Sequence, residues 1–366
     1  MSQLKKSLKL IDGISLLIGI TIGSAIFATP QLIATYLSSF STILLLWIFI
    51  SFFVLIGSLI YAELGSRFPS TGGEYVYISK AFGPLWGFIF GWAQLLIIRT
   101  SPAAGISLIT ANYIGYFIDL EQFEKNFLAV CIIILFGIIN FIGVEKASAY
   151  NKFSSLIKTI GLALFAIIGL LFFNGSFTQL NLSSEPLQDL GYLGNVVAAS
   201  ILILFSYLGW DRVGYVAGEM KNPKEVIPKT MFYGISTVAI IYIAANFLYH
   251  SVLGLEGVRD SQIVASDTAL IVFGSSGAAI ISLIVIISAT GSINGTMMSA
   301  SRLYYAMAKD NLLFKSFGYV HPKFKTPSNA IIAHCVWGVI ILVLRQNFET
   351  IVSGMVFVIL IFYIAT

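Results

Sequence analysis

Between Gly13 and Ala62 the chain reads GISLLIGITIGSAIFATPQLIATYLSSFSTILLLWIFISFFVLIGSLIYA, without one Asp, Glu, Lys or Arg. The hydrocarbon core of a bilayer takes about 20 apolar residues per helix. The window therefore holds two membrane spans, and Ser38-Ser39 is the natural place for the turn between them. Lys5, Lys6 and Lys9 precede the first span. The run is far too long for the apolar region of a secretory leader, about 7–15 residues, so no cleaved leader is expected. The rest of the chain agrees. Of its 366 residues, 10% are charged and 57% hydrophobic, and the mean hydropathy is +0.90. Soluble domains carry about 25% charged residues, so this chain lacks the surface for water and reads as an all-α polytopic membrane protein.

Working outward, further charge-free windows cover 81–98, 100–118, 126–144, 159–184, 190–210, 230–249, 268–301, 326–344 and 350–366. Only Arg99 divides the first two, which merge into one long span. The total is ten spans, the tenth running to Thr366. With the N-terminus in the cytoplasm, the inner loops collect 17 of the 21 Lys and Arg, while Lys125, Arg259 and Arg345 fall outside. This is the positive-inside pattern, and it makes the cell membrane with a cytoplasmic N-terminus the expected location. The net charge of +4 sits in these short loops, which argues against nucleic acid as a partner.

Spans 1 and 6 share an oddity. Span 1 contains GITIGSAIF at 19–27, then Pro30; span 6 contains FSYLGW at 205–210, then Gly214 and Gly218. Glycine weakens a helix and lets other groups approach the backbone. Either stretch alone reads equally well as tight helix packing. Together they fall half a chain apart, each in the first span of a set of five. Five is odd, so residues 190–366 would lie inverted in the membrane relative to residues 1–175. Interrupted helices at matching places of two inverted halves point to a midplane binding site. An unwound span 1 would present free N–H groups near Ser24, which favour an anion. Its preceding half would end in free carbonyls near Thr21 and Ile22, and span 6 would offer carbonyls near Phe205 and Ser206. Carbonyls favour a cation. An anion site and a cation site a few ångströms apart match the carboxylate and ammonium of a free amino acid.

The motifs carry a family resemblance. GITIGSAIF with Pro30 resembles the first-span motif of the amino acid/polyamine/organocation (APC) superfamily, whose core reads G-S-G-I-F. ELG at 63–65 with PSTGGEYVY at 69–77 is similar to the loop after its second span. Gly91-Trp92 with Ile98-Arg99, FSYLGW with EMKNP at 219–223, SRLYYAMAKD at 301–310 and HPKFKTP at 321–327 resemble its L-type amino acid transporter branch. The resemblance implies a LeuT-type fold of inverted five-helix repeats, with spans 1 and 6 discontinuous. It implies alternating access for neutral L-amino acids. It places Thr21, Ile22, Gly23, Ser24 and Ala25, with Phe205, Ser206 and Leu208, around the substrate, and Phe205 as an aromatic gate. Spans 3 and 8 are expected to meet the substrate side chain. Lys158 resembles a fifth-span lysine whose ammonium takes the place of a sodium ion. It is expected to join spans 1, 5 and 8 and to be the residue through which a proton could couple; the bland alternative is a lysine snorkelling to the interface. Ala25 departs from the family's second glycine, and its methyl narrows the approach of a carboxylate, favouring small substrates or weaker binding. Family members usually continue to twelve spans, and this sequence stops inside the match to the tenth.

Rival functions find less support. A membrane-embedded enzyme needs a catalytic dyad or metal cluster, and neither H-E-x-x-H nor paired membrane aspartates occur. Cys131 and Cys335 have no metal spacing and read as small core residues, and no cofactor or metal is implied. A channel would need charge rings or repeated carbonyl loops. A cationic amino acid or polyamine carrier would want an acidic side chain in the site, and spans 1 and 6 supply none before Asp211. Arg99 reads as paired or snorkelling, and Glu74, His250 and His334 as structural. The sequence names no partner subunit.

Overall fold

The computed structural model describes residues 8–68, 73–173, 180 and 183–366. Lys5, Lys6 and the loop residues Pro69, Ser70, Thr71 and Gly72 lie outside them. The described residues form helices and connecting turns. In order these are α1 (Leu10–Thr21), α2 (Thr29–Tyr36), α3 (Phe40–Arg67), α4 (Glu74–Phe82), α5 (Pro84–Ala93), α6 (Thr100–Ile114), α7 (Gln122–Ile142), α8 (Val144–Phe172), α9 (Gly191–Tyr207), α10 (Pro223–Asp260), α11 (Val264–Lys309), α12 (Ser328–Arg345) and α13 (Phe348–Ala365). Short 3-10 segments at Ala25–Phe27 and Trp210–Glu219 follow α1 and α9. Among the described residues nine helical stretches are long and apolar enough to cross a membrane. The first of the ten expected spans falls on the broken pair α1 and α2, of 12 and 8 residues, neither long enough alone to cross a membrane.

Several boundaries follow from local chemistry. Ser39 caps α3, its hydroxyl accepting from the Thr42 amide at 3.3 Å, at the expected turn. Pro30 lacks the N–H that a continuous helix would donate to Ile26, so the helix restarts with proline in its first turn. The merged third span, Pro84–Ile114, is one stretch containing a π turn at Gln94–Ile98, in which the Arg99 amide reaches back five residues to Gln94 O at 3.0 Å.

The windows misjudge other lengths. The charge-free window of the fifth span opens at residue 159, but α8 begins at Val144. α10 and α11 run to 38 and 46 residues, interrupted by positive φ at Gly254 and Gly274. A charge-free window stops at any charged residue, whether it lies on a helix end in water or, like Lys158 at 3% exposed, is buried inside the protein. α4 lies in what was expected to be a loop. It starts at Glu74, whose carboxylate is 1% exposed and accepts the Tyr61 hydroxyl at 2.9 Å. On α4 itself, burial, with Glu74 second, pushes the Tyr77 phenol up to about 12. Cys131 is exposed on α7 rather than in a core, because an apolar face in such a chain can be turned to lipid.

The chain forms two compact units. The first comprises residues up to Gly83, Thr159–Ile281 and Thr366; the second comprises Pro84–Lys158 and Ser282–Ala365. Each draws on both halves of the sequence. In the second unit Asn294 of α11 is a hub. It accepts from Asn140 Nδ2 at 2.7 Å and donates to Ala147 O at 2.7 Å and Asn151 Oδ1 at 3.1 Å. Arg99 is 6% exposed and donates to Gln94 Oε1 at 2.8 Å, so it does not snorkel. His334 is fully buried against the Tyr304 hydroxyl at 3.2 Å. In the first unit His250 is buried and stacks obliquely on Phe40, with ring centroids 4.8 Å apart.

Candidate functional site

The candidate site lies in the first unit, where two interruptions abut. α1 stops because Ile22 takes an extended conformation (φ −68°, ψ 97°). Ser24 then opens the 3-10 turn Ala25–Phe27, which leads through Ala28 into α2. The first amides of such a turn have no partner within it. α9 stops in the same manner: Leu208 is extended (φ −61°, ψ 137°), and Gly209 follows at φ 125°. That φ is open to glycine and strained for residues with a Cβ. A Cβ on Gly209 would stand 2.8 Å from Ile20 Cγ2 and 3.2 Å from Ile20 O. The second break thus lies directly against the end of α1.

Two polar ties hold the breaks together. Thr29 Oγ1 and Ser206 Oγ share a hydrogen bond at 2.9 Å. The Tyr242 hydroxyl, from α10, reaches Thr21 O at 2.9 Å and Ser206 O at 3.0 Å. One phenolic proton serves two carbonyls, one at each break. Tyr242 is itself fully buried and makes ring contacts with Trp47 and Tyr207. The Tyr207 hydroxyl is anchored in turn on Ser51 Oγ at 2.6 Å.

All eight residues expected around a substrate lie at these breaks. Thr21, Ile22, Ser24, Ala25, Phe205 and Ser206 are buried, and Gly23 and Leu208 are partly open. Thr21 Oγ1 and Ser24 Oγ are buried hydroxyls with no hydrogen-bond partner among the described residues. Buried polar atoms are nearly always satisfied, and these two hydroxyls stand beside the first amides of the 3-10 turn. The carbonyls expected to face an ammonium are already engaged in part: Phe205 O accepts the Leu208 amide at 3.1 Å, and Thr21 O and Ser206 O share Tyr242. Each such oxygen keeps a second lone pair. No acidic side chain stands within either break, and the nearest in sequence, Asp211, is buried after Gly209.

Sequence reasoning missed Tyr242. It is one tyrosine in an apolar helix, 221 residues from Thr21, and nothing local marks it. Lys158 belongs to the second unit. It is 3% exposed, with Nζ 3.5 Å from Ser292 Oγ of α11. That burial excludes snorkelling, and the contact lies between α8 and α11.

The chain resembles known transporters along its whole length. It is 32% identical to the serine/threonine exchanger SteT of Bacillus subtilis (strain 168), covering 99% of this chain and 82% of the relative. It is 29% identical to the b(0,+)-type amino acid transporter 1 of Homo sapiens, covering 90% and 68%. It is 28% identical to the large neutral amino acids transporter small subunit 2 of Homo sapiens, covering 98% and 68%. The model of the family described as amino acid permease matches residues 8–366. With its membrane-spanning helices and its paired helix breaks, the chain is an integral membrane transporter that belongs to the amino acid permease family.

Proposed function

We propose that this protein carries neutral L-amino acids across the cell membrane by alternating access, with its N-terminus in the cytoplasm and residues 1–175 and 190–366 as inverted repeats. The observation that carries the reading is the pair of abutting breaks. Amides of Ser24 and Ala25 receive the carboxylate, carbonyls at Thr21 and Ser206 receive the ammonium, and no acid stands in either break to favour a second positive charge. Phe205 and Leu208 border the substrate side chain. The Ala25 methyl favours small substrates, in keeping with the serine/threonine exchanger among the relatives. No bond to substrate is made or broken.

Exchange is the favoured cycle, because that relative is named an exchanger. Proton coupling through Lys158 is the second reading, and its burial beside Ser292 is what supports it. The deciding experiment is uptake of labelled neutral amino acids into proteoliposomes, with and without internal amino acid and with a pH gradient. Uptake that requires internal amino acid establishes exchange, and uptake driven by the gradient alone establishes proton coupling. Ser24→Trp should abolish both binding and transport; full transport by that variant refutes the site.

A further inference from the structure

The far end of α2 is held by an arginine that the sequence placed in a loop. Arg259 is only 6% exposed. It lies in a short helical turn that Gly254 (φ 70°) sets apart from the rest of α10. Its Nε donates to Ala34 O at 2.6 Å and its Nη2 to Leu37 O at 3.2 Å. These carbonyls belong to the C-terminal end of α2, where a helix leaves its carbonyls unpaired and its dipole negative. The tie is returned: Gln31 Nε2, one turn earlier on α2, donates to Arg259 O at 2.9 Å.

A third element joins at the same point. Residues 183–188 run along the end of α2 as a strap. Ser183 bridges Ser39, the Ser184 amide donates to Ser38 O at 3.0 Å, and the Leu187 amide donates to Thr35 O at 2.9 Å. Arg259 closes the strap, with Nη1 2.7 Å from Ser184 Oγ and Nη2 3.4 Å from Ser184 O. The Ser184 hydroxyl then donates to Glu256 Oε1 at 3.3 Å, standing between the guanidinium and a carboxylate three residues earlier on the same turn. One planar cation thereby collects acceptors from two elements while riding on a third. A lysine, with a single point of charge, could not span them.

We propose that Arg259 is a positioning residue for transport: it fastens the end of α2 to the strap and to the turn beyond Gly254, so that the three move as one piece with the half-helix. The other end of that half-helix is the carboxylate cradle proposed above. The effect on transport rests on that site; the tie itself does not.

The test compares Arg259→Met and Arg259→Lys, purified and in proteoliposomes. Hydrogen exchange of peptides containing Leu37, Ser184 and Leu187 should accelerate together in Arg259→Met, by about ten-fold or more, while peptides of α6 stay at the wild-type rate. Turnover per folded molecule should fall by about ten-fold, with Arg259→Lys between the two. Unchanged exchange in those peptides, or wild-type turnover in Arg259→Met, overturns the proposal. Should Arg259→Met fail to fold, Ser184→Ala removes one acceptor only; it should speed the same peptides to a smaller degree, and no change there is equally fatal. If Arg259→Met loosens and slows the protein while Ser24→Trp still transports, the tie stands and the substrate site falls. If Ser24→Trp is dead while Arg259→Met turns over normally, the site stands and the positioning role of Arg259 falls.

Discussion

Removing the Tyr242 hydroxyl with Tyr242→Phe keeps the ring among Trp47 and Tyr207 and takes away only the proton that Thr21 O and Ser206 O share, at 2.9 and 3.0 Å. A buried carbonyl left without its donor costs about 1–3 kcal/mol. The hydroxyl has one proton, so the two carbonyls together lose roughly one hydrogen bond and not two. The cost falls on the relative placement of the two breaks, the geometry that an amino acid must find ready. At 1.4 kcal/mol per decade, substrate affinity should weaken by about 5- to 150-fold. The assay is equilibrium binding of a labelled neutral amino acid to purified protein, corrected for the folded fraction. Tyr207→Phe is the control. It deletes a hydroxyl bonded to Ser51, with neither carbonyl involved, and should lower stability while leaving affinity near wild type. Thr29→Val removes the other tie between the breaks. Combined with Tyr242→Phe it should depart from additivity by about 0.5–3 kcal/mol, since both act on one junction. Wild-type affinity in Tyr242→Phe, or equal losses in the two Tyr→Phe variants, refutes the account of Tyr242 as the link between the breaks.

Gly209→Ala places a side chain at φ 125° and against Ile20. The strain of about 1–3 kcal/mol and the close contact should abolish uptake while folded protein remains detectable by size-exclusion chromatography. Lys158→Gln removes a buried charge beside Ser292; any uptake driven by a pH gradient should disappear while counterflow of amino acid persists, and uptake that matches wild type at every pH, with the gradient-driven part intact, would remove Lys158 from coupling. Asn294→Leu strips the hub from Asn140, Ala147 and Asn151. It should lower stability by ~1–3 kcal/mol in a thermal-shift assay, with substrate affinity per folded molecule unchanged.

What could be read from the sequence follows from the range of the interactions involved. Spans were legible because excluding charge from lipid is a local requirement, met residue by residue from Gly13 to Ala62. The breaks were legible because Gly23, Pro30 and Gly209 act on their own backbone. Helix lengths were not, since Val144 and Pro223 begin their helices among charges that a hydropathy window discards. α4 escaped notice because Glu74 is held by Tyr61 of another helix. Tyr242 and Arg259 were illegible for the same reason in stronger form: they bond to backbone carbonyls 221 and 225 residues away. A carbonyl carries no side-chain identity for a pattern to match. The two helix breaks could be located from their glycines, but the groups that hold them in register could not.

The π turn at Gln94–Ile98 fixes the phase of everything after it. One residue spans about 100° of an α-helix, so deleting a single residue there would regularise the helix and rotate α6 by about that angle. α6 can ill absorb such a turn, because 12 of its 15 residues are buried. Gly105 faces α13, where even an added Cβ would stand 3.1 Å from Phe348 Cδ2. After the rotation a branched neighbour such as Ile106 would meet that ring instead. The extra residue therefore acts as a phase setting for the second unit, and gaps in this segment among relatives should be read as rotations of a buried helix rather than as changes in its length.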